Sequence, residues 1–423
     1  MKKFSPNQKM VAIAVAAVCC VLSAASAIAQ FAPPGPPQPP GPTQPPGPVQ
    51  TPAPLPANLQ GFGGALVGLS RDLIDAFNQG RIEFTNVETP ASGLGPIFNG
   101  RSCAECHSSP AIGGGSNTRV TRFGRNVDGV FDAMESQGGS LLQRFAINPA
   151  LQEVIPHEAN VIAQRLSTPL FGLGLIEAIP DGAIVQNMLV PKPDGVRGKA
   201  AEITDVVSGQ KRVGRFGLKA QQATLLAFSA DAYANEMGIT NRFFPKENAP
   251  NGNESLLARF KRTIDPEDEI DPATGKSDID MAADFMRFLA PPTRVAATPQ
   301  SAVGESLFGQ AGCTACHTPV LRTGPNPIAA LDRKAVNLFS DLLLHDMGSL
   351  NDGIALAGAG THEMKTPPLW GLRARGPYLH DGRATSLDAA IRAHDGEGAA
   401  ARDRYIGMTP QLKRNLQDFL NTL

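Results

Sequence analysis

Two copies of one five-residue motif carry the clearest chemical signal in the sequence. They are Cys103-Ala-Glu-Cys106-His107 and Cys313-Thr-Ala-Cys316-His317. Two thiols at this spacing add across the two vinyl groups of one porphyrin, and the adjoining imidazole binds the iron as its proximal ligand. The sequence therefore predicts two covalently bound c-type haems, each attached by two cysteines and bound by the motif histidine.

Cysteine pairs at this spacing also occur in zinc sites, dithiol redox centres and structural disulfides. None of these alternatives gives the histidine that follows each pair a role. A zinc site shared by both pairs stays open as an alternative at this point. The structure can test this alternative, because a shared zinc site would bring all four thiols together.

The N-terminal segment, residues 1–29, predicts export. It combines three lysines, an apolar run and small side chains before Gln30, the pattern of a cleaved signal peptide. Cys19 and Cys20, the only cysteines outside the two motifs, lie in this segment. An uncleaved leader that anchors the chain in a membrane is the alternative, because the apolar stretch is about long enough to span a bilayer. Haems of this type are attached outside the bacterial inner membrane, so the expected location is the periplasm.

Residues 30–58 are dominated by proline and predict an extended linker. Without the leader, 35 basic residues stand against 39 acidic ones, a formal charge of −4. This acidic balance argues against nucleic acid as a partner. The rest of the chain is long enough for two domains of ordinary size, and no further segment of the sequence is apolar enough to span a membrane.

The second motif has the surroundings of a class-I cytochrome c. A helical pattern leads into it, and Thr409-Pro410 begins an amphipathic helix that reaches the C-terminus. In the first half, residues 279–289 form a similar amphipathic stretch, which ends at two prolines. The sequence therefore predicts a mainly α-helical protein with two tandem class-I cytochrome c-like domains, residues 59–295 and residues 296–423.

The two predicted domains differ in length. The stretch from His107 to Phe285 in the first half is much longer than the equivalent stretch from His317 to Phe419 in the second. The first domain therefore carries a long insertion, much of it expected within residues 180–278. Extra structure around one haem of a pair suggests that the two haems do different jobs.

Four further segments resemble a known family. They are Gly93-Leu-Gly-Pro-Ile-Phe-Asn-Gly-Arg-Ser-Cys, Pro169-Leu-Phe-Gly-Leu-Gly-Leu-Ile-Glu-Ala-Ile-Pro, Phe216-Gly-Leu-Lys-Ala and Tyr378-Leu-His-Asp-Gly-Arg-Ala. In these segments the chain is similar to exported di-haem oxidoreductases of the peroxidase or thiol-oxidoreductase type, within the bacterial di-haem cytochrome c peroxidase superfamily. The resemblance implies one electron-transfer haem and one haem open to peroxide or a similar oxidant. The sequence departs from the family at Leu218, where tryptophan is usual.

The second axial ligand decides what each haem can do, because an iron with a free axial position binds small oxidants. The superfamily places this ligand at a short, characteristic distance after the histidine of its His-Asp-Gly segment. The resemblance therefore implies His394, which stands at that distance from His380, as an iron ligand of the C-terminal electron-transfer haem, with Met408 and Met364 as alternatives. His380 itself is predicted to be a catalytic residue at the haem edge, oriented by Asp381, where it would assist a propionate or the path between the haems; a turn histidine with a structural role only is the alternative.

Nothing in the first half of the sequence demands a second ligand for the His107 haem, and this favours an open, catalytic site. Reduction of a bound peroxide needs a base that moves a proton from one oxygen to the other. Glu177, set in an apolar run, is predicted to be this catalytic carboxylate, with a structural carboxylate as the alternative. His157 is a second candidate for a role at the haem, with a surface loop histidine as the alternative, whereas His345 and His362 are predicted to be exposed or loop residues.

An acidic stretch follows in the first half, with carboxylates at Asp265, Glu267, Asp268, Glu269 and Asp271. It resembles a calcium loop but lacks the glycine that an EF-hand has at its sixth position. A solvated loop is the simpler interpretation, and calcium is the alternative cofactor. The stretch could also attract a basic redox partner.

Together these observations predict a periplasmic di-haem oxidoreductase. A small periplasmic electron-transfer protein would supply electrons at the C-terminal haem, and peroxide or another small oxidant would be reduced at the N-terminal haem. One alternative is an electron carrier whose two irons both have six ligands. Another is an enzyme that oxidises a protein, a thiol or an organic substrate. A membrane enters only if the leader is uncleaved.

Overall fold

The computed structural model describes residues 61–260 and 266–423, all of which belong to one compact unit. The predicted signal peptide and linker, with Cys19 and Cys20, lie outside the described residues, and so does Asp265. None of the helices in the described ranges combines the length and apolar character needed to cross a bilayer.

The α-helices of these ranges are α1 (Arg71–Thr85), α2 (Cys103–Cys106), α3 (Leu173–Glu177), α4 (Asp181–Leu189), α5 (Leu225–Ala232), α6 (Glu254–Leu257), α7 (Asp278–Phe288), α8 (Pro299–Gln310), α9 (Leu387–Arg392), α10 (Ala399–Gly407) and α11 (Pro410–Leu420). The β-strands are β1 (Ile97–Phe98), β2 (Arg119–Val127), β3 (Val130–Asp132), β4 (Leu141–Leu142), β5 (Phe145–Ala146), β6 (Val161–Leu166), β7 (Glu202–Thr204), β8 (Lys211–Val213), β9 (Leu321–Arg322), β10 (Ala335–Val336), β11 (Leu344–Asp346) and β12 (Glu363–Lys365).

Two pairs of helices cross at close range, α1 with α7 in the first half and α8 with α11 in the second. Each crossing depends on a glycine. A Cβ added to Gly80 would lie 2.3 Å from the carbonyl oxygen of Met281, and one added to Gly304 would lie 1.9 Å from that of Asn415. The backbones touch at these points, so no larger residue fits. The same device in both halves agrees with the repeat that the sequence predicts.

The start of α11 follows from local chemistry. The hydroxyl of Thr409 accepts a hydrogen bond from the backbone N–H of Leu412, and Pro410 occupies the first helical position, where it has no N–H to leave unpaired. The N-cap and first-turn pair predicted from the sequence is confirmed. Buried Leu416, Phe419 and Leu420 then form the face of α11 that enters the core.

The prediction of a mainly α-helical protein is wrong, because 36% of the described residues are helical, short turns of helix included, and 15% are in strands, so the fold is mixed. The main sheet lies soon after the first motif, where β2 pairs with β3, β4 and β6. Asp128 and Gly129, both with positive φ, form the turn between β2 and β3, as a tight hairpin requires. The valine- and threonine-containing stretch before this Asp-Gly pair was the missed signal. The additional structure of the first half therefore includes this sheet, which lies before residues 180–278.

The largest apolar core contains residues from both sides of the predicted domain boundary. Phe171 and Phe285 of the first half belong to the same cluster of buried side chains as Leu338 and Trp370 of the second. The boundary itself falls between the end of α7 and the start of α8. The division into two domains stays a prediction, but the core shows that the halves share their packing.

Candidate haem sites

The first motif is held by a short helix and a loop. Cys103 and Cys106 lie in α2, whose N-terminus is capped by the hydroxyl of Ser102, and His107 follows directly. The Nδ1 of His107 is 3.0 Å from the carbonyl oxygen of Gly114, to which it donates as N–H. This bond leaves Nε2 with its lone pair free for a metal. Burial lowers the pKa of His107 to about 4, so the ring is neutral, as an iron ligand must be.

The second motif repeats this arrangement at the end of α8. Cys313 follows Gly312 directly, and the Nδ1 of His317 lies 2.9 Å from the carbonyl oxygen of Phe339. Burial lowers the pKa of His317 to about 4 as well. Both motif histidines therefore have the tautomer and charge that axial ligation requires.

A phenylalanine from the crossing helices lies beside each motif histidine. The ring of Phe84 is 6.3 Å from that of His107, and the ring of Phe308 is 6.2 Å from that of His317. Each phenylalanine follows its crossing glycine by one helical turn. The shared Gly-x-x-x-Phe spacing upstream of both motifs was available in the sequence and was missed.

The zinc and disulfide alternatives do not fit the structure. No disulfide joins the four motif cysteines, and the two pairs line two different cavities. Among the described residues, the one group of three or more possible metal ligands that lie close together contains no cysteine. A zinc site shared by both motifs is therefore not assembled.

A second histidine faces His317 across its cavity. His394 follows α9, and its Nδ1 is 2.9 Å from the carbonyl oxygen of Ala390, so its Nε2 is also free. The two rings have centroids 6.5 Å apart and planes inclined by 60°. Two imidazoles that share one metal at about 2.0 Å per bond have centroids about 6.3 Å apart. The spacing is that of a pair of axial ligands.

The structure also shows where the other residues that the sequence proposes around this haem lie. His380 and Met364 line the same cavity, whereas Met408 is not among its lining residues. Burial lowers the pKa of His380. The carboxylate of Asp381 accepts hydrogen bonds from the backbone N–H and the guanidinium of Arg383, so it is engaged there instead of orienting the His380 ring.

A buried ionic chain lies against the second motif. His345 is 1% exposed, with Nε2 2.9 Å from the carboxylate of Asp341 and Nδ1 2.6 Å from that of Glu397. Lys192 pairs with the same Asp341 at 2.5 Å, and the sulfur of Cys316 is 3.6 Å from His345 Nδ1. Although burial opposes it, these hydrogen bonds raise the pKa of His345 to about 11. His345 is therefore a buried cation, not the exposed or loop residue predicted.

The cavity at the first motif has a different lining. His107 is the only histidine along it within the described residues, and Asp231, Glu236 and Arg122 contribute charge. Helix α5 continues into a π-helical turn (Tyr233–Met237), in which residues five apart lie above one another, and this spacing places the two acids on the same wall. Burial raises the pKa of Asp231 to about 6 and also raises that of Glu236.

Glu177, the predicted catalytic carboxylate, is not among the residues that line this cavity. One of its oxygens accepts from the backbone N–H of Leu225 at 2.7 Å, and the other accepts from Arg287 at 2.8 Å. It thus holds the N-terminus of α5, the helix that carries Asp231, which is the structural alternative left open by the sequence. Asp231 and Glu236 are the acids that sequence reasoning missed; the presence of two acids in an otherwise apolar segment was the available signal.

Two other histidines lie at the surface. The side chain of His157 is 90% exposed and pairs with its neighbour Glu158, and that of His362 is 59% exposed. Neither lines the cavity of a motif histidine. The structure therefore does not support His157 as a haem-site residue.

Both cavities have cations that suit the propionates of a haem. In the first, the buried Nε of Arg122 has no hydrogen-bond partner, and Arg165, whose guanidinium is ion-paired with Asp352, adds a second cation. In the second, Lys365 and Arg375 line the wall, and within the described residues neither forms an ion pair. Buried cationic donors without full partners fit a dianionic group, so the residues present fit a haem in each cavity.

The two cavities share part of one wall. Thr168, Gly217, Leu218 and Phe228 line both. Leu218 is the position where family members usually have tryptophan, so the departure seen in the sequence falls between the two sites. Trp370, the single tryptophan of the chain, lines only the second cavity.

Comparison with known proteins agrees with this arrangement. Residues 150–423 match the family described as "Di-haem oxidoreductase, putative peroxidase". The chain belongs to this di-haem oxidoreductase family. The resemblance noted in the sequence is thereby confirmed, and haem is the cofactor that the family implies.

One curated relative of this family member is the methylamine utilization protein MauG of Methylorubrum extorquens. The two are 32% identical over 157 residues, which cover 33% of this chain and 42% of MauG. The chain therefore matches less than half the length of this relative.

The solved structures that are similar to this chain include a di-haem peroxidase and a MauG-like protein. The diheme peroxidase BthA from Burkholderia thailandensis is 15% identical, with a TM-score of 0.38 over 82% of this chain and 86% of BthA. A MauG-like protein associated with microbial copper homeostasis is 18% identical, with a TM-score of 0.31 over 60% of this chain and 89% of that protein. At these TM-scores neither structure adds to the family match.

Proposed function

We propose that this family member is a periplasmic, c-type di-haem oxidoreductase that reduces peroxide. Electrons from a small periplasmic electron-transfer protein would enter at the haem bound by His317, and peroxide would be reduced at the haem bound by His107. The observation that carries the proposal is the difference between the two cavities. His394 faces His317 at ligand spacing, whereas His107 shares its cavity with two acids and no other histidine of the described residues.

In this proposal the chain holds each haem by three residues of its motif. Cys103 and Cys106 form the thioether bonds of one haem, and the cysteines of the second motif form those of the other. A haem iron with an open axial position binds and reduces peroxide, whereas one with two strong axial ligands passes electrons. His394 closes the second site, so the first is the one left for the oxidant.

Asp231 has the properties of the required proton carrier. Peroxide reduction to two waters consumes two electrons and two protons, so an acid–base group must lie in the cavity. A carboxyl group with a pKa near the working pH exchanges protons most effectively, and burial brings the pKa of Asp231 to about 6. Arg122, on the same wall, adds positive charge that favours anionic forms of the oxidant. Glu236 is held by the amide of Asn99 at 2.9 Å and is the secondary candidate.

The proposal is tested by mixing the oxidised and half-reduced holoprotein with hydrogen peroxide and following the haem spectrum. Peroxide should change the haem spectrum of the wild type, and the wild type should turn peroxide over. Asp231→Asn should slow the reaction with peroxide by roughly 100-fold or more. Glu202→Gln is the control, because it removes the same charge from an exposed acid of the same half that lines neither cavity. Equal loss in both variants would contradict the role of Asp231, and no reaction of the wild type would contradict the peroxidase proposal.

A di-haem electron carrier is the second candidate, and one observation favours it. Met237 and Met286 also line the first cavity, and a methionine sulfur is a common second ligand in electron-transfer cytochromes. In that case the oxidised protein would contain two low-spin haems and would not respond to peroxide. Replacing each methionine by leucine in turn identifies such a ligand, because its loss converts the first haem to high spin.

A further inference from the structure

Three carboxylates from separate parts of the chain meet beside α1 and α7. Glu83 belongs to the last turn of α1, Glu267 to a short turn (Pro266–Asp268), and Asp278 is the first residue of α7. Each offers an oxygen that lies within 4.8 Å of the oxygens of the other two. Acids that repel one another at this distance need a cation, protons or solvent to be held together.

Solvent does not serve Glu267. Glu267 is 1% exposed, and its side-chain oxygen Oε2 has no hydrogen-bond partner. Within the described residues no lysine or arginine forms an ion pair with Glu83, Glu267 or Asp278, whereas Arg242, close by, is engaged by Asp268 and Asp280. A buried carboxylate that lies beside two further acids and has one oxygen without a partner is costly unless a ligand completes the cluster.

We propose that Glu83, Glu267 and Asp278 bind one calcium ion. The donors are hard, anionic oxygens without nitrogen or sulfur, which select Ca²⁺ or Mg²⁺ over transition metals. Oxygens on one Ca²⁺, bound at about 2.3–2.6 Å, lie no more than about 5 Å apart, which the cluster satisfies. Mg²⁺ at about 2.1 Å would demand a tighter cluster and keeps more water, which suits a buried site less well.

Such a site differs from the loop considered in the sequence. The acidic stretch was expected to be a solvated loop, but Glu267 is buried, and its two partners belong to helices outside the stretch. The ion would join α1, the 266–268 turn and α7. It would also relieve the repulsion and burial that raise the pKa of Glu267 to about 10, of Glu83 to about 7 and of Asp278 to about 6.

The site would act on the first haem cavity and not on the second. The hydroxyl of Tyr233 donates to Glu83 at 2.7 Å, and Tyr233 lines the cavity at His107. Residue 84, next to Glu83 in α1, is the phenylalanine beside the His107 ring. Calcium bound here would therefore fix two walls of the first cavity through α1 and the tyrosine.

The test is calcium binding by the full-length holoprotein. Protein stripped with EGTA is dialysed against CaCl₂, bound metal is counted by mass spectrometry, and thermal melting is followed with and without the ion. One Ca²⁺ per chain and a rise of several degrees in melting temperature are expected, because a ligand that binds only the folded state stabilises it. MgCl₂ at the same concentration should give a smaller rise.

Glu267→Gln and Asp278→Asn should abolish both effects. Glu269→Gln is the matched control, since it removes the same charge from an exposed residue of the same stretch and should leave binding unchanged. Without calcium, Glu267→Gln should melt no lower than the wild type, because glutamine is a neutral side chain of the same size as the buried, protonated carboxyl, so lost binding cannot be attributed to misfolding.

The proposal is overturned if the stripped wild type binds no calcium at millimolar concentration. It is also overturned if both Glu267→Gln and Asp278→Asn bind calcium as the wild type does. Equal or stronger binding of magnesium would overturn the assignment to calcium. If melting instead depends on pH alone and not on calcium, shared protons hold the acids together and the site does not exist.

Discussion

The two motif sites are built alike around the motif histidine and differently in the rest of the cavity. On the proximal side each has a crossing glycine, a phenylalanine one turn later and a motif histidine bound to a backbone carbonyl. In the rest of the cavity, the second site has His394, and the first has Asp231 of α5 and Glu236 of the π-helical turn. The shared features explain how each motif histidine is oriented, and the different linings explain why the two sites would do different work.

The largest expected effect comes from removing one haem at a time. Replacing both cysteines of the first motif by alanine should halve the covalently bound haem and abolish peroxide turnover, because no other site for the oxidant remains. Replacing both cysteines of the second motif by alanine should also halve the bound haem. The spectral change on peroxide binding at the first haem should remain. Haem staining after denaturing electrophoresis measures the covalently bound haem, and absorption spectra measure the binding of peroxide. Peroxide binding that survives only in the first variant would reverse the assignment.

Replacing His394 by glycine should affect the second haem alone. Loss of the facing imidazole leaves His317 as the single axial ligand, so this haem should change from low to high spin while the first keeps its spectrum. Resonance Raman spectra of the oxidised holoprotein report both haems. Met408→Leu is the control and should change neither. Unaltered low-spin ligation in His394→Gly would remove His394 from the site.

The crossing glycines should be equally important in both halves. Gly80→Ala and Gly304→Ala each force a methyl group against a carbonyl oxygen, and each should cost about 1–3 kcal/mol of unfolding free energy. Gly309→Ala, in the same helix as Gly304 but with open space around its Cα, should instead stabilise by about 0.5–1 kcal/mol. Thermal melting of the holoproteins compares them. A neutral Gly304→Ala would mean that the helices do not cross as closely as described.

The smallest effect concerns pH and the acid of the first site. Because burial raises the folded-state pKa of Asp231 to about 6 from a usual 3.8, its ionisation opposes folding as the pH rises through 6. Asp231→Asn should therefore melt a few degrees higher than the wild type at pH 8 and show little difference at pH 4. Over the same range the wild-type peroxide rate should fall as the pH drops through about 6. A pH-independent difference in melting would contradict the shifted pKa.

Much of the haem chemistry could be predicted from the sequence because it is encoded locally. The two motifs, the cap of α11 and the amphipathic stretch that became α7 are each written within a short segment. His394 could be singled out by its spacing from His380, and the structure places it opposite His317, although its ligation stays a prediction. Where a role depends on residues adjacent in sequence, pattern and resemblance were sufficient.

The remaining parts depend on contacts between distant segments. Glu177 has the sequence surroundings of a pocket acid, but only the fold shows that Arg287 and the start of α5 take up its carboxylate. Asp231 and Glu236 share a wall because a π-helical turn changes the helical spacing, which no propensity predicts. His345 is held in the core by one acid nearby in sequence and another far along the chain. The sheet around β2 was missed although its hairpin turn was visible.

The most direct test of the difference between the sites is the electron paramagnetic resonance spectrum of the oxidised holoprotein at low temperature, before and after peroxide. The account predicts one low-spin ferric signal from the haem between His317 and His394, and one high-spin signal from the haem at His107 that disappears on adding peroxide. Two low-spin signals that peroxide leaves unchanged would contradict it.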